Sequence, residues 1–189
     1  MLGAMIARPV NAQTRGFTLI ELLVVLAMAA ILLTLAAPSF TGTMARKRLE
    51  GASDLLATDI QYARSEAAQR NTAVGIVFGA NCYSVYVLGS SAATSCVALG
   101  TGASSIKDVT LPAGTSLAFT PTTSGAFVAF DPVRGMATDA GAGTSDLSGV
   151  VLLTSSAGNW QIQARVTRVG RVKLCSPNAT VTALVTDCT

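Results

Sequence analysis

The run from Phe17 to Ala37 holds one charged side chain, Glu21, and is otherwise apolar but for Thr18 and Thr34. An α-helix rising 1.5 Å per residue needs about 20 such residues to cross a ~30 Å hydrocarbon core. A transmembrane helix over 17–37 is therefore expected, and the rest of the chain must suit a protein held in a bilayer at one end.

A carboxylate inside that core costs about 2.5–3.5 kcal/mol even on the lenient insertion scale, so Glu21 needs a partner or a task. The next basic residue along the chain is Arg46, about 37 Å further on at the helical rise. Cutting between Gly16 and Phe17 would supply a nearer cation. The new α-amine of Phe17 would lie one helical turn before Glu21, and would be equally available to the Glu21 of a neighbouring subunit. Two plainer alternatives compete. An ordinary secretory signal would use Phe17–Leu26 as its apolar region and Ala27-Met28-Ala29 as its cleavage site, but a glutamate inside that region is foreign to the pattern. A simple membrane anchor would leave Glu21 without a task.

Arg15-Gly16-Phe17-Thr18-Leu19-Ile20-Glu21 with an apolar run behind it resembles the class III signal of type IV pilins and type II secretion pseudopilins. The resemblance implies that a prepilin peptidase removes residues 1–16 by cutting after Gly16 and methylates the new N-terminus at Phe17. It also implies that Glu21 guides docking onto other pilin or pseudopilin subunits.

The 189 residues leave room for one further domain beside the span. Net charge is +3; removing residues 1–16 takes away Arg8 and Arg15 and leaves eleven basic against ten acidic side chains, so bulk charge names no partner. Histidine is absent, which removes Ser-His-Asp and Cys-His nucleophile pairs, His-containing zinc sites and histidine acid–base chemistry. No enzyme, cofactor or metal is expected.

Four cysteines allow three pairings. Cys82 and Cys96 bracket one loop and Cys175 and Cys188 another, and closing a loop of ~15 residues gains about 3 kcal/mol in the chain-entropy model. Those two disulfides are the expected pairs, and the closely spaced ligand pairs of a zinc site are missing. Disulfides imply an oxidising compartment. Basic residues flank the span on both sides, Arg8 and Arg15 before it and Arg46, Lys47 and Arg48 after it, so the positive-inside rule does not choose an orientation. The cysteines and the signal do: a single-pass bacterial inner-membrane protein, N-terminus cytoplasmic and head periplasmic, in a filament or its tip after assembly.

Beyond Pro38, which should kink the helix near Thr34, apolar residues recur at Leu49, Ala52, Leu56, Ile60, Ala63 and Ala67. Steps of three and four lay one stripe on a helix, so 38–71 is expected to continue as an amphipathic helix, with Glu66 and Arg70 paired one turn apart. From residue 72 strand patterns take over, over Val74–Phe78, Cys82–Leu88, Lys107–Leu111, Leu117–Thr120, Phe127–Phe130, Val150–Thr154, Trp160–Val166 and Arg171–Leu174. Ser90–Ser105 and Ala137–Gly149 are small-residue loops. The expected fold is α+β: one long helix packed on an antiparallel sheet head over 72–189.

Tyr62-Ala63-Arg64-Ser65-Glu66-Ala67, Phe130-Asp131-Pro132 with Gly135, and Gly170-Arg171-Val172-Lys173 narrow the resemblance to GspH/FimT-type minor pilins and pseudopilins. A proline at position 38 is more usual in pilus subunits than in secretion pseudopilins. Arg165, Arg168, Arg171 and Lys173 form a basic cluster in the head. In some FimT-type proteins a Gly-Arg-x-Arg motif in this region is linked to DNA uptake in natural transformation, so the resemblance raises DNA binding as an alternative task. Here Lys173 replaces the last arginine and lacks its bidentate fork. The plainer account is a solvated polar face whose charges discourage stray strand pairing. Trp160 is expected to pack rather than stack on bases, and Arg64 and Glu66 receive no role.

Overall fold

The computed structural model describes residues 16–91, 93–120, 127–138, 149–158, 160–177 and 186–188, with the side chains of 35–39 left outside the description. It divides the chain into two compact units, 1–40 and 41–189. One helix, α1, runs over Leu19–Arg70.

In the first unit the helix begins behind Thr18, whose Oγ1 accepts the Glu21 amide at 3.2 Å while its carbonyl accepts the Leu22 amide. Thr18 is thus the N-cap, and Glu21 falls at the third helical position, where the acidic member of a capping box belongs. From Leu19 to Leu33 every large apolar side chain is between 44 % and 82 % exposed, on all sides of the helix. Among the described residues no helix is long and apolar enough to cross a membrane. The described side chains of the run stop at Thr34, short of the ~20 apolar residues a span needs. The kink expected at Pro38 lies on the undescribed side chains.

In the second unit the stripe Leu49, Ala52, Leu56, Ile60, Ala63 and Ala67 is buried throughout, none more than 5 % exposed. The helix ends in a left-handed Asn71 with the Thr72 amide reaching back to the Ala67 carbonyl, the wrapped C-terminal turn that satisfies a late carbonyl. Glu66 and Arg70 form the expected ion pair.

Two five-stranded sheets lie against that stripe, where a single antiparallel sheet was expected. The first has β1 (Val74–Phe78), β2 (Cys82–Val87), β3 (Ser104–Thr110), β5 (Phe127–Phe130) and β6 (Ala137–Thr138), in the order β3-β2-β1-β5-β6. The second has β4 (Thr115–Thr120), β7 (Gly149–Ser155), β8 (Gln161–Val166), β9 (Val172–Ser176) and β10 (Thr186–Asp187), in the order β10-β9-β8-β7-β4. Strand β10 pairs parallel with β9, so the head is not purely antiparallel. Two-residue strands such as β6 and β10 are too short for alternation to mark them; Ala137–Thr138 had been placed in a loop.

The second sheet shows one-sided alternation: β7 alternates buried and half-buried, and β8 turns Ile162, Ala164 and Val166 inward and Gln161, Gln163 and Arg165 outward. Strand β1 is buried on both faces. Val74, Ile76 and Phe78 join the helix-facing core, while Val77 packs with Tyr86, Ala93 and Phe127 beneath the 89–103 loop. Cys82 and Cys96, bonded with Cα atoms 6.0 Å apart, hold that loop down. Cys175 and Cys188, 4.9 Å apart at Cα, join β9 to the chain end beyond β10. Phe78 and Phe119, with ring centroids 4.6 Å apart, connect the two sheets.

Candidate functional site

Two regions carry the residues singled out in the sequence. Gly16, Phe17 and Glu21 lie at the start of α1, all exposed. Glu21 is held by its backbone to Thr18, and its carboxylate makes no ion pair among the described residues.

The four head cations lie on the β8–β9 hairpin and are all exposed. Arg165 and Lys173 are direct cross-strand partners, an arrangement of like charges that costs some stability unless an anion lies near. Arg168 lies in the turn and Arg171 directly follows it; the Thr167 amide donates to the Arg171 carbonyl at 2.8 Å, the Arg171 amide to Thr167 Oγ1 at 3.1 Å, and the Gly170 amide to the Thr167 carbonyl at 2.8 Å. The hairpin itself, residues 161–176, holds no aromatic residue. Trp160 instead lies half-buried against the helix and its own strand start, where β-carbons on Gly42 and Gly158 would meet its ring at 3.5 and 2.9 Å.

The structure brings together three segments that are far apart in sequence. The turn between β5 and β6 (131–136) lies beside the β8–β9 turn, with the Ala137 amide donating to the Arg168 carbonyl at 2.9 Å. Gly135 and Gly170 both have positive φ, +59° and +73°, a conformation that favours glycine. The side chain of Arg64 lies against both: a β-carbon on Gly135 would come within 3.0 Å of its Nε, and one on Gly170 within 3.1 Å of its Cδ. One turn earlier on the same helix, Gln61 Nε2 donates to the Gly170 carbonyl at 3.0 Å. In the β5–β6 turn, Asp131 Oδ1 accepts the Val133 and Arg134 amides at 2.8 and 2.7 Å. Those two bonds hold its carboxyl below the usual carboxylate range.

Arg64 and Arg134 had been given no role, yet both join the basic edge that the β8–β9 hairpin begins. The two isolated glycines at 135 and 170 were the available signal, since a glycine in an otherwise ordered segment marks either a left-handed turn or a close approach. Here they mark both.

Elsewhere in the head Asp59 is only 2 % exposed, and accepts from the Tyr83 hydroxyl at 2.8 Å and from Lys107 Nζ at 2.6 Å. Burial and that carboxylate push the Tyr83 hydroxyl far up from its ordinary value. Glu50, also buried, is met by Arg46 and Lys47 of its own helix. Among the described residues no group of three His, Cys, Asp or Glu side chains could hold a metal ion.

The family described as type II transport protein GspH matches residues 52–170, which contain the helix stripe from Ala52 on, both sheets' central strands and both glycine turns. The chain belongs to the GspH family. A prokaryotic N-terminal methylation motif matches residues 11–37. The pilin-like protein PilA1 of Thermus thermophilus is 45 % identical over 76 residues, which cover 39 % of this chain and 47 % of that protein; the chain thus spans about half the length of this curated relative. The minor pseudopilin EpsH of the type 2 secretion system of Vibrio cholerae superposes with a TM-score of 0.51 at 11 % identity, covering 69 % of this chain and 98 % of EpsH. The type IV minor pilin FimU of Pseudomonas aeruginosa superposes with a TM-score of 0.51 at 18 % identity, covering 68 % and 89 %. This GspH-family chain therefore has the fold of the minor pilins and pseudopilins, a helix on mostly antiparallel sheets.

Proposed function

We propose that this GspH-family protein is a membrane-anchored structural subunit of a type IV pilus or type II secretion pseudopilus. The observation that carries the proposal is the first part of α1. Its large apolar side chains are exposed on every side, and an exposed apolar surface of that extent marks a segment that leaves water for lipid or for other protein. The methylation motif over the same residues supports cleavage after Gly16 and methylation at Phe17.

On this reading the helix over 17–37 holds the subunit in the inner membrane, N-terminus inside and head in the periplasm, until neighbouring copies extract it into the filament. Glu21 then pairs with the α-amine of Phe17 on a neighbour. In an apolar surrounding an ion pair is favoured only if both charges are matched, which makes the pairing selective for correct register. Glu21→Ala should therefore leave cleavage by the peptidase intact and cut incorporation into sheared filaments by at least tenfold. Wild-type incorporation of that variant would refute the docking role. Glu21→Gln adds a control, because it keeps the size and polarity of the side chain while losing the charge.

A further inference from the structure

We infer that the 89–103 loop is a hinged cover on the outer face of the first sheet, and that the Cys82–Cys96 disulfide is its redox-sensitive clasp. Reduction of that bond frees the cover while the rest of the head stays folded. The inference goes beyond the filament reading and does not depend on it.

The cover is closed on itself. At its stem the Ser90 amide and hydroxyl both donate to the Thr101 carbonyl, at 3.0 and 3.1 Å, and the Thr101 amide donates to Ser91 Oγ at 2.7 Å. At its tip the Thr94 amide donates to the Ala98 carbonyl at 3.0 Å and the Ala98 amide to the Ser95 carbonyl at 3.1 Å. A loop whose ends meet and whose bonds close internally is a compact unit of its own. Residues 89–103 carry no charged side chain, so no ion pair fastens them to the sheet.

Apolar contact and one covalent bond hold the unit down. Ala93, with Leu99 and Ala103 at its margin, packs on Val77, Tyr86, Phe127 and Ala129 of β1, β2 and β5. None of those four is more than 4 % exposed. The rings of Tyr86 and Phe127 meet edge to face with centroids 6.1 Å apart. On the same two strands Tyr83 and Phe130 belong instead to the helix-facing core. The outer face can therefore be bared while the inner one keeps its packing, a local opening of the kind that folded proteins sustain.

The clasp joins a fixed point to a movable one. Cys82 sits in the β2–β3 ladder opposite Thr110, and its carbonyl accepts the Gly79 amide at 2.8 Å. Cys96 sits in the self-bonded tip. Both are only half-buried, whereas Cys175 of the other disulfide is 1 % exposed. Access to sulfur is one of the factors that set the rate of thiol–disulfide exchange. A thiolate of a dithiol reductant attacks Cys96 Sγ, the S–S bond breaks and Cys82 leaves as a thiolate. The second thiolate of the reductant then displaces Cys96 from the mixed disulfide. The reductant becomes a disulfide, and its two protons end on Cys82 and Cys96.

The test uses the full chain in detergent micelles. It is treated with dithiothreitol, the new thiols are capped with iodoacetamide, and after desalting its side chains are mapped by hydroxyl-radical footprinting and mass spectrometry. Cys82 and Cys96 should be capped about tenfold faster than Cys175 and Cys188. In the chain capped at Cys82 and Cys96, oxidation of Tyr86 and Phe127 should rise about fivefold or more. Oxidation of Tyr83 and Phe130 should stay as in the untreated chain. Cys96→Ser, which lacks the bond and carries no capping group at the loop tip, should expose Tyr86 and Phe127 as well. Continued protection of those two rings in either sample would overturn the inference, because the cover would then hold without its clasp. Exposure of all four rings in the capped chain would overturn it too, since the bond would then be a staple for the whole head. Equal capping rates at the two disulfides would contradict the selectivity on which the switch depends.

Discussion

Between Leu19 and Leu33 the large apolar side chains of α1 are all exposed, whereas Leu49, Ala52, Leu56, Ile60, Ala63 and Ala67 further along are all buried. The first stretch is apolar all round and has no inner face. The second has a stripe at steps of three and four, because only one side of it meets the sheets. The difference teaches that one continuous helix carries two kinds of information. The stripe specifies a partner within the chain; the all-round run needs one outside it.

The sharpest way to break this comparison is to truncate one leucine in each stretch. Leu56→Ala, in the buried stripe, should destabilise the head by about 2–5 kcal/mol. Leu26→Ala, 62 % exposed, should change head stability by less than about 0.5 kcal/mol. Urea unfolding of the full chain in detergent, followed through Trp160, the one tryptophan, measures both. Equal effects would mean that the first stretch has an intrachain partner after all.

A polar lock adds to the stripe, since Asp59 reaches from the helix to Tyr83 on β2 and Lys107 on β3. Removing one member leaves the others without a partner. Asp59→Ala should cost about 2 kcal/mol in the same unfolding assay, less than a fully buried pair would because the Lys107 side chain is 39 % exposed. No change would mean that water replaces the lock at no cost.

The glycine turns give a smaller effect with a built-in control. Gly170→Ala should cost about 1–2 kcal/mol from the left-handed backbone. In an Arg64→Ala background its cost should fall by about 0.5 kcal/mol, the coupling expected between residues in contact. Strict additivity would indicate that Arg64 does not press on the turn.

The smallest effect is on pH. Burial raises the Glu50 carboxyl, but bonds from Lys47 and Arg46 outweigh it and hold the group below its ordinary value. A depressed carboxylate contributes stability above its unfolded value, about pH 4.3, and that stability is lost as the pH falls further. Thermal melts of the wild type should therefore drop below about pH 4.3 more steeply than those of Glu50→Gln. Parallel curves would argue that the helix cations do not act on Glu50.

Much of this was legible in the residues themselves. The stripe from Leu49 to Ala67 and the strand Phe127–Phe130 were placed correctly, because both follow from periodicity and from short apolar runs between turn residues. The division into two sheets was not, since strand order depends on contacts that span the whole head. The parallel β10 was missed for the same reason: a two-residue strand carries no pattern. The basic edge was half visible. Arg165, Arg168, Arg171 and Lys173 lie close in sequence, whereas Arg64 joins them only through its packing on Gly135 and Gly170, and Arg134 only through the turn whose Ala137 amide bonds the Arg168 carbonyl. Thr18 and Glu21 also have the i, i+3 spacing of a capping box, a local reading of that turn that the membrane argument had hidden.

The central claim is that the all-round apolar stretch belongs to a processed filament subunit. Intact mass and N-terminal sequencing of the protein from membranes, with and without the prepilin peptidase, test it most directly. The account predicts a chain beginning at methylated Phe17 that disappears when the peptidase is absent. A chain beginning after Ala29, or left uncut in the presence of the peptidase, would contradict it.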